Sequence, residues 1–183
     1  RDANPFFHLM EALWMLAGRR DARFLDRYVS DFGRRFAEDD GRVHGAYGHR
    51  WRHALGCDQL DAVVRKLREN PQDRQAVIQM WDGTTEHDAP YALGRVMGAD
   101  DLLGEWRDRP CNTHVYLRLR RGRPMEWAAD GPGPVEQRPV SQYVLDFTVL
   151  CRSNDMIFGG YGANAVHFSV LQEYLAARIG VEV

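Results

Sequence analysis

The chain of 183 residues is short of lysine, short of cysteine and without a long apolar run, and each shortage excludes a class of protein. Lys66 is the one lysine among 24 basic residues, and the net charge is −2. No polybasic tract or basic field exists to coat nucleic acid or a membrane surface. Nearly all the positive charge is guanidinium, the group suited to gripping phosphate or carboxylate with two parallel hydrogen bonds. A compositional bias towards arginine accounts for most of these residues.

Cys57, Cys111 and Cys151 are odd in number, far apart and without a C-x-x-C pair. That pattern argues against a disulfide framework or a zinc site and for a reducing cytoplasm. The longest apolar stretch, Phe6 to Ala17, contains His8 and Glu11 and is too short to span a bilayer. Neither G-x-G-x-x-G nor G-x-x-x-x-G-K-[ST] occurs, so the usual dinucleotide and P-loop readings have no support. What is there is 44% hydrophobic, enough for one globular domain over residues 1–183. Arg1 is not an initiator Met and Val183 directly follows a helical pattern, so residues are expected to be absent at both ends.

Periodicity predicts a largely buried helix from Pro5 to Gly18 and a second capped by Asp21, with Phe24, Leu25, Tyr28 and Val29 inward. A third starts at Asp58, carries Leu60, Val63, Val64 and Leu67, and is closed by Pro71. Strands are expected at Ala76–Trp81, Thr113–Arg121 and Tyr143–Cys151, with an exposed excursion over Pro124–Pro139. A final helix covers Asn164–Ile179, with Val166, Val170, Leu171, Tyr174 and Leu175 inward. Helices, then strands, then a helix argue for an α+β fold.

Several residues could carry chemistry. Glu11 sits in an apolar helix, where a carboxylate needs partners or titrates upward, although an edge position is an equally good account. Cys111, at a strand entrance beside arginines, is either a small buried hydrophobe or a thiolate held by positive charge. Arg152-Ser153-Asn154-Asp155 joins a guanidinium and a hydroxyl, which suits phosphate as well as an ordinary polar turn. Gly159-Gly160-Tyr161-Gly162 then permits tight backbone before Asn164, which can cap the last helix or read a base edge.

The order of the motifs is specific. Glu11 to Gly18, Tyr47-Gly48-His49-Arg50-Trp51-Arg52, Asp73-Arg74 before the Trp81 strand, Pro110-Cys111, Arg152-Ser153-Asn154-Asp155 and the loop ending near Asn164 together resemble the thymidylate synthase family over almost the whole chain. The resemblance implies that family's α+β fold, a mixed sheet covered by helices, and a homodimer packed sheet to sheet. It implies methylenetetrahydrofolate as one-carbon donor and a pyrimidine nucleoside monophosphate as acceptor. Cys111 then matches the nucleophile that adds to ring carbon 6, and Glu11, supported by Tyr47, the general acid/base. Arg152 and Ser153 match the phosphate grip, and Arg74 an arginine reaching the partner subunit's phosphate. Asp155 matches the carboxylate that binds the pterin ring.

The departures bear on substrate. The usual pair of adjacent arginines is Arg74-Gln75, and the histidine after the nucleophile is Asn112. Two tryptophans of the folate side match Gly33 and Phe36. Counted without a gap, Ala163 takes the base-reading position; with a loop one residue longer, Asn164 does. The Pro124–Pro139 excursion is extra, and the family's ribose-binding segment and closing C-terminal tail are not in this chain. Smaller side chains on the folate side admit water, so hydroxymethylation of CMP or dCMP is the expected reaction. Methylation of dUMP is the runner-up, and a non-catalytic nucleotide-binding homologue is a remote third.

Overall fold

The computed structural model describes residues 4–81, 105–122 and 142–183, so the expected 124–139 excursion lies outside the described residues. Helix α1 (Pro5–Leu16) starts where Asn4 Oδ1 accepts the Phe7 N–H at 2.9 Å, with proline at its first position. It buries Ala12, Trp14 and Met15 but leaves Phe6, Leu9 and Leu13 about half exposed or more. The helix expected to be largely buried therefore has an apolar outer stripe. The second expected helix is also shorter: α2 spans only Ala22–Leu25. Asp21 does not cap it, because its carboxylate accepts two hydrogen bonds from Arg19 at 2.8 Å.

Helices α3 (Phe32–Phe36) and α4 (Tyr47–His49) are short, and α4 runs into a π-helical turn at Arg50–Ala54. Helix α5 (Gln59–Glu69) follows the sequence closely. Asp58 Oδ1 accepts the Asp61 N–H at 3.1 Å, and Leu60, Val63, Val64 and Leu67 are buried. Burying four such side chains contributes roughly 1.5–3 kcal/mol each, before the entropy of ordering them is counted.

Strands β1 (Val77–Gln79), β2 (Asn112–Arg121) and β3 (Tyr143–Cys151) form an antiparallel sheet in that order. Ile78 pairs with Val115 and Leu119 with Leu145, and these four side chains are buried on one face. The expectation was a mixed sheet; among the described residues the one parallel pairing is an isolated bridge, Val144 to Glu182. A register shift between Asn112 and His114 bends the entrance of β2, as an extra unpaired residue does.

Helix α6 (Ala163–Ile179) packs against α1, α5 and β3. Its inner face is His167, Phe168, Leu171, Leu175 and Ala176, whereas Val166, expected inside, is 38% exposed. The 167/171/175 stripe faces the core, and Val166 lies off it. Among the described residues no helix is long and apolar enough to cross a membrane.

Candidate active site

Three chain segments converge at the entrance of β2. Trp81 Nε1 and Arg152 Nε both donate to the Pro110 carbonyl at 3.0 Å, and Arg152 Nη2 donates to Arg109 O at 3.3 Å. The Arg152 amide donates to Cys111 O at 2.8 Å, and the guanidinium lies over the Trp81 ring at 5.5 Å. Cys111 is thus half-buried on a backbone gripped from two sides.

Tyr47 reaches this point because α4 lies almost on α1. A Cβ on Gly48 would fall 1.8 Å from the Met15 carbonyl oxygen, so only glycine permits the approach. The Tyr47 hydroxyl meets the backbone N–H groups of Cys111 and Asn112. Burial, and then the neighbouring Cys111, raise its phenol above the ordinary tyrosine range. Burial likewise pushes up the Cys151 thiol, with Cys111 adding to it. Asn112 is buried, and its Nδ2 donates to His114 O at 3.1 Å and Leu150 O at 2.8 Å. It therefore secures the irregular start of β2.

Two carboxylates complete the cluster. Glu11, on α1, has its Oε2 3.0 Å from Nε2 of His167, which is 3% exposed. That nitrogen makes no aligned hydrogen bond, so the contact is a close electrostatic pairing. His8, one helical turn before Glu11, sets its ring 5.9 Å from that of His167. His8, Glu11 and His167 bring three side-chain donor atoms within 4.8 Å of one another, the one such trio among the described residues. Asp108 is the second carboxylate: burial raises it from 3.8 to about 6, Arg50 and Arg152 oppose the rise, and Glu11 and Glu38 add to it. Arg50 itself is buried, donating from Nη1 to Met80 O at 2.8 Å and lying against His44.

A cavity of about 270 Å³ opens beside this cluster between β3 and α6. Phe147, Val149 and Cys151 form one wall, and Asn154, Asn164 and Phe168 contribute to the rest. Asn164 lines it and Ala163 does not. The chain between Asp155 and α6 winds as a π-helical turn, Met156–Gly160, with the Gly160 and Tyr161 amides donating five residues back to Asp155 O and Met156 O. Such a turn accommodates one residue more than α-helical winding would. Asn164 Nδ2 donates to Asn154 Oδ1 at 3.0 Å, and Gly159 makes room for that side chain, since a Cβ there would lie 2.0 Å from Asn154 Oδ1.

The thymidylate synthase family model matches residues 6–183. The chain belongs to the thymidylate synthase family. It is 43% identical over 182 residues to the deoxyuridylate hydroxymethyltransferase of Pseudomonas phage M6, covering all of this chain and 42% of that protein. It is 32% identical over 193 residues to the deoxyuridylate hydroxymethyltransferase of Bacillus phage SP01, covering all of this chain and 41% of that protein. It also superimposes over its whole length on 55% of thermostable thymidylate synthase A from Bacillus subtilis, with a TM-score of 0.65 at 20% identity, a likeness of fold. The chain thus spans less than half the length of these phage relatives.

Of the residues that the family resemblance singles out, Cys111, Tyr47 and Arg152 come together, with Glu11 linked to them through the charge of Asp108. Ser153 and Asp155 are exposed beyond β3, with Asp155 Oδ1 accepting the Ile157 amide at 3.0 Å. Arg74 is exposed in the turn before β1, and Phe36 is 39% exposed with its ring against Phe32. Sheet-to-sheet pairing and the reach of Arg74 across it are not features of a single chain. Gly33 closes on Asp26, whose Oδ1 accepts its amide at 2.9 Å.

Sequence reasoning missed Asp108, His167 and Asn154. Asp108 had a signal, an acid three residues before the candidate nucleophile. His167 had a weaker one, a histidine on the same helical stripe as Leu171 and Leu175. Asn154 had none, because its partner Asn164 is ten residues away across an irregular turn.

Proposed function

We propose that the chain supplies the nucleotide-activating part of a methylenetetrahydrofolate-dependent transferase that places a hydroxymethyl group on carbon 5 of a pyrimidine nucleoside monophosphate. The observation that carries this reading is the convergence of a half-buried cysteine, a buried tyrosine hydroxyl and two carboxylates at the start of β2, with an arginine bound to the same backbone. Carbon 5 of a pyrimidine is a poor nucleophile. A thiolate adding at carbon 6 turns it into an enolate-like centre, and Cys111 is the group for that step. Arg152 with Ser153 holds the phosphate so that carbon 6 meets sulfur, and Arg74 supplies a further phosphate contact across a homodimer. Glu11, with Tyr47, moves protons at the base, and Asp155 with Phe36 faces the folate.

Deoxyuridylate is the acceptor we favour. The phage relatives carry that substrate in their names. The cavity-facing amide of Asn164 supports it too, since an amide offers a donor to a uracil carbonyl and an acceptor to the ring N–H. Cytidine monophosphates, expected if Ala163 stood at the base, are the second reading. An amide turned over would pair with cytosine as well.

The test is to incubate the full-length protein with methylenetetrahydrofolate and dUMP, dCMP or CMP in separate reactions. A hydroxymethyl nucleotide formed without dihydrofolate is expected with dUMP. Dihydrofolate appearing in step with a methylated nucleotide would replace this reading by thymidylate synthesis. Nucleotide binding with no adduct on Cys111 would leave a non-catalytic homologue.

A further inference from the structure

The reaction proposed above needs a group that the family's nucleophile and phosphate contacts do not supply, a base for the water that ends it. We propose that Asp108 is that base. The inference rests on the hydroxymethylation reading and deepens it.

Asp108 lies three residues before Cys111 on the extended segment that enters β2, so the backbone placing the sulfur also places this carboxylate. The fold makes space for it. A Cβ on Gly45 would fall 2.3 Å from Asp108 Oδ2, and only a bare glycine accepts the carboxylate there. Among the described residues, the charged groups acting on it are Arg50 from the π-helical turn, Arg152 from the end of β3, Glu11 from α1, and Glu38 beyond α3. Tyr47, from α4, senses both Asp108 and Cys111.

Of the neighbouring acids, Glu11 lies against His167 and is already assigned to proton transfer at the base, and Glu38 accepts the Arg107 amide at 2.9 Å. Asp108 makes no hydrogen bond or ion pair with any described residue, yet it is not sealed from solvent. A half-buried carboxylate that no described residue holds by a hydrogen bond, raised by burial to about 6, is a competent base at neutral pH.

After the one-carbon unit has reached the ring, carbon 5 carries an exocyclic methylene and carbon 6 is bonded to the Cys111 sulfur. The oxygen of water bonds to the methylene carbon and its proton passes to Asp108. The methylene π pair moves into the ring as an enolate. Collapse of the enolate restores the carbon 5–carbon 6 double bond, breaks the carbon–sulfur bond and returns the thiolate to Cys111. Asp108 then gives its proton to solvent. Hydride transfer from the folate, the competing fate, requires no such base.

The experiment uses the full-length protein with methylenetetrahydrofolate and dUMP tritiated at carbon 5. Tritium release reports the steps up to the methylene, and hydroxymethyl nucleotide reports the water step. In a single turnover of Asp108→Asn we expect tritium release at the native rate while hydroxymethyl product forms about 100-fold more slowly, the scale of a lost general base. Added 2-mercaptoethanol then captures the stranded methylene as a thioether. Asp108→Glu, which keeps a carboxylate, recovers part of the product. In single turnovers of the native protein, product formation slows relative to tritium release as pH drops through about 6, where Asp108 becomes protonated, and Asp108→Asn removes that dependence. Hydroxymethyl product in step with tritium in Asp108→Asn would overturn the assignment. So would loss of tritium release in both variants with an unchanged unfolding midpoint, which would give Asp108 an earlier role. Methyl nucleotide and dihydrofolate from the native protein would instead remove the reaction itself, whatever Asp108 does.

Discussion

The two sides of the site are built differently. At the start of β2, ionisable groups are packed into the protein: Arg50 and His167 are 3% exposed, and Tyr47 and Asp108 are shifted upward by burial. Between β3 and α6 the cavity is lined by neutral side chains and glycines, its amides paired mainly with one another. In the reaction proposed, the first side would have its chemistry set before any ligand arrives, as proton and charge movement in a transition state requires. The second is a recognition surface whose preference hangs on a few hydrogen bonds.

Substitutions can break that contrast, starting with the largest effect. Cys111→Ala is expected to abolish both tritium release and product, because the thiolate that adds to carbon 6 is removed. Full activity in that variant would refute the whole mechanism.

On the same buried side, His167→Ala is expected to lower kcat by about 100-fold with little change in KM, since it leaves Glu11 without its pairing nitrogen. His167→Gln, which returns an N–H donor, should recover part of that loss. A fall confined to the unfolding midpoint would reduce His167 to a packing residue.

The third test reads the energetic cost of the buried charge. Burial raises Asp108 above its unfolded value, so the stability of its neutral form is fully present below about 3.8 and is lost as pH rises through about 6. Asp108→Asn should therefore unfold later than the native protein at pH 7.5, by up to about 3 kcal/mol at ~1.4 kcal/mol per pKa unit. At pH 4 the two should nearly coincide. Equal midpoints at both pH values would show that the carboxylate carries no burial penalty.

The open side should respond least in rate and most in choice. Asn154→Ala removes the acceptor that orients Asn164, and about 1 kcal/mol of orientation corresponds to a roughly fivefold change in the ratio of dUMP to dCMP turnover. An unchanged ratio would mean that Asn164 is held by the helix alone.

Much of this architecture could be read from the residues in order. Asp58 and Pro71 bracket α5, alternation marked β2 and β3 almost to the residue, and the motif order carried the family. The misses share a cause. The second helix ends at Leu25 with the Asp21 carboxylate held by Arg19, and Val166 lies off the stripe that α6 turns inward. Each depends on a competing hydrogen bond or a phase of winding that apolar spacing does not encode.

The sequence by itself determined the secondary elements with strong period, the family, and the identity of the cysteine, tyrosine, glutamate and arginine offered to the chemistry. Those are properties of residue type and spacing along one chain. Tertiary structure alone decided that Glu11 meets His167 from a helix more than 150 residues away, that a π-helical turn leads into α6 with Asn164 lining the cavity, and that Asp108 lodges over Gly45. Burial and charge proximity are set by which surfaces pack together, and they govern whether a carboxylate is a surface acid or a base at neutral pH.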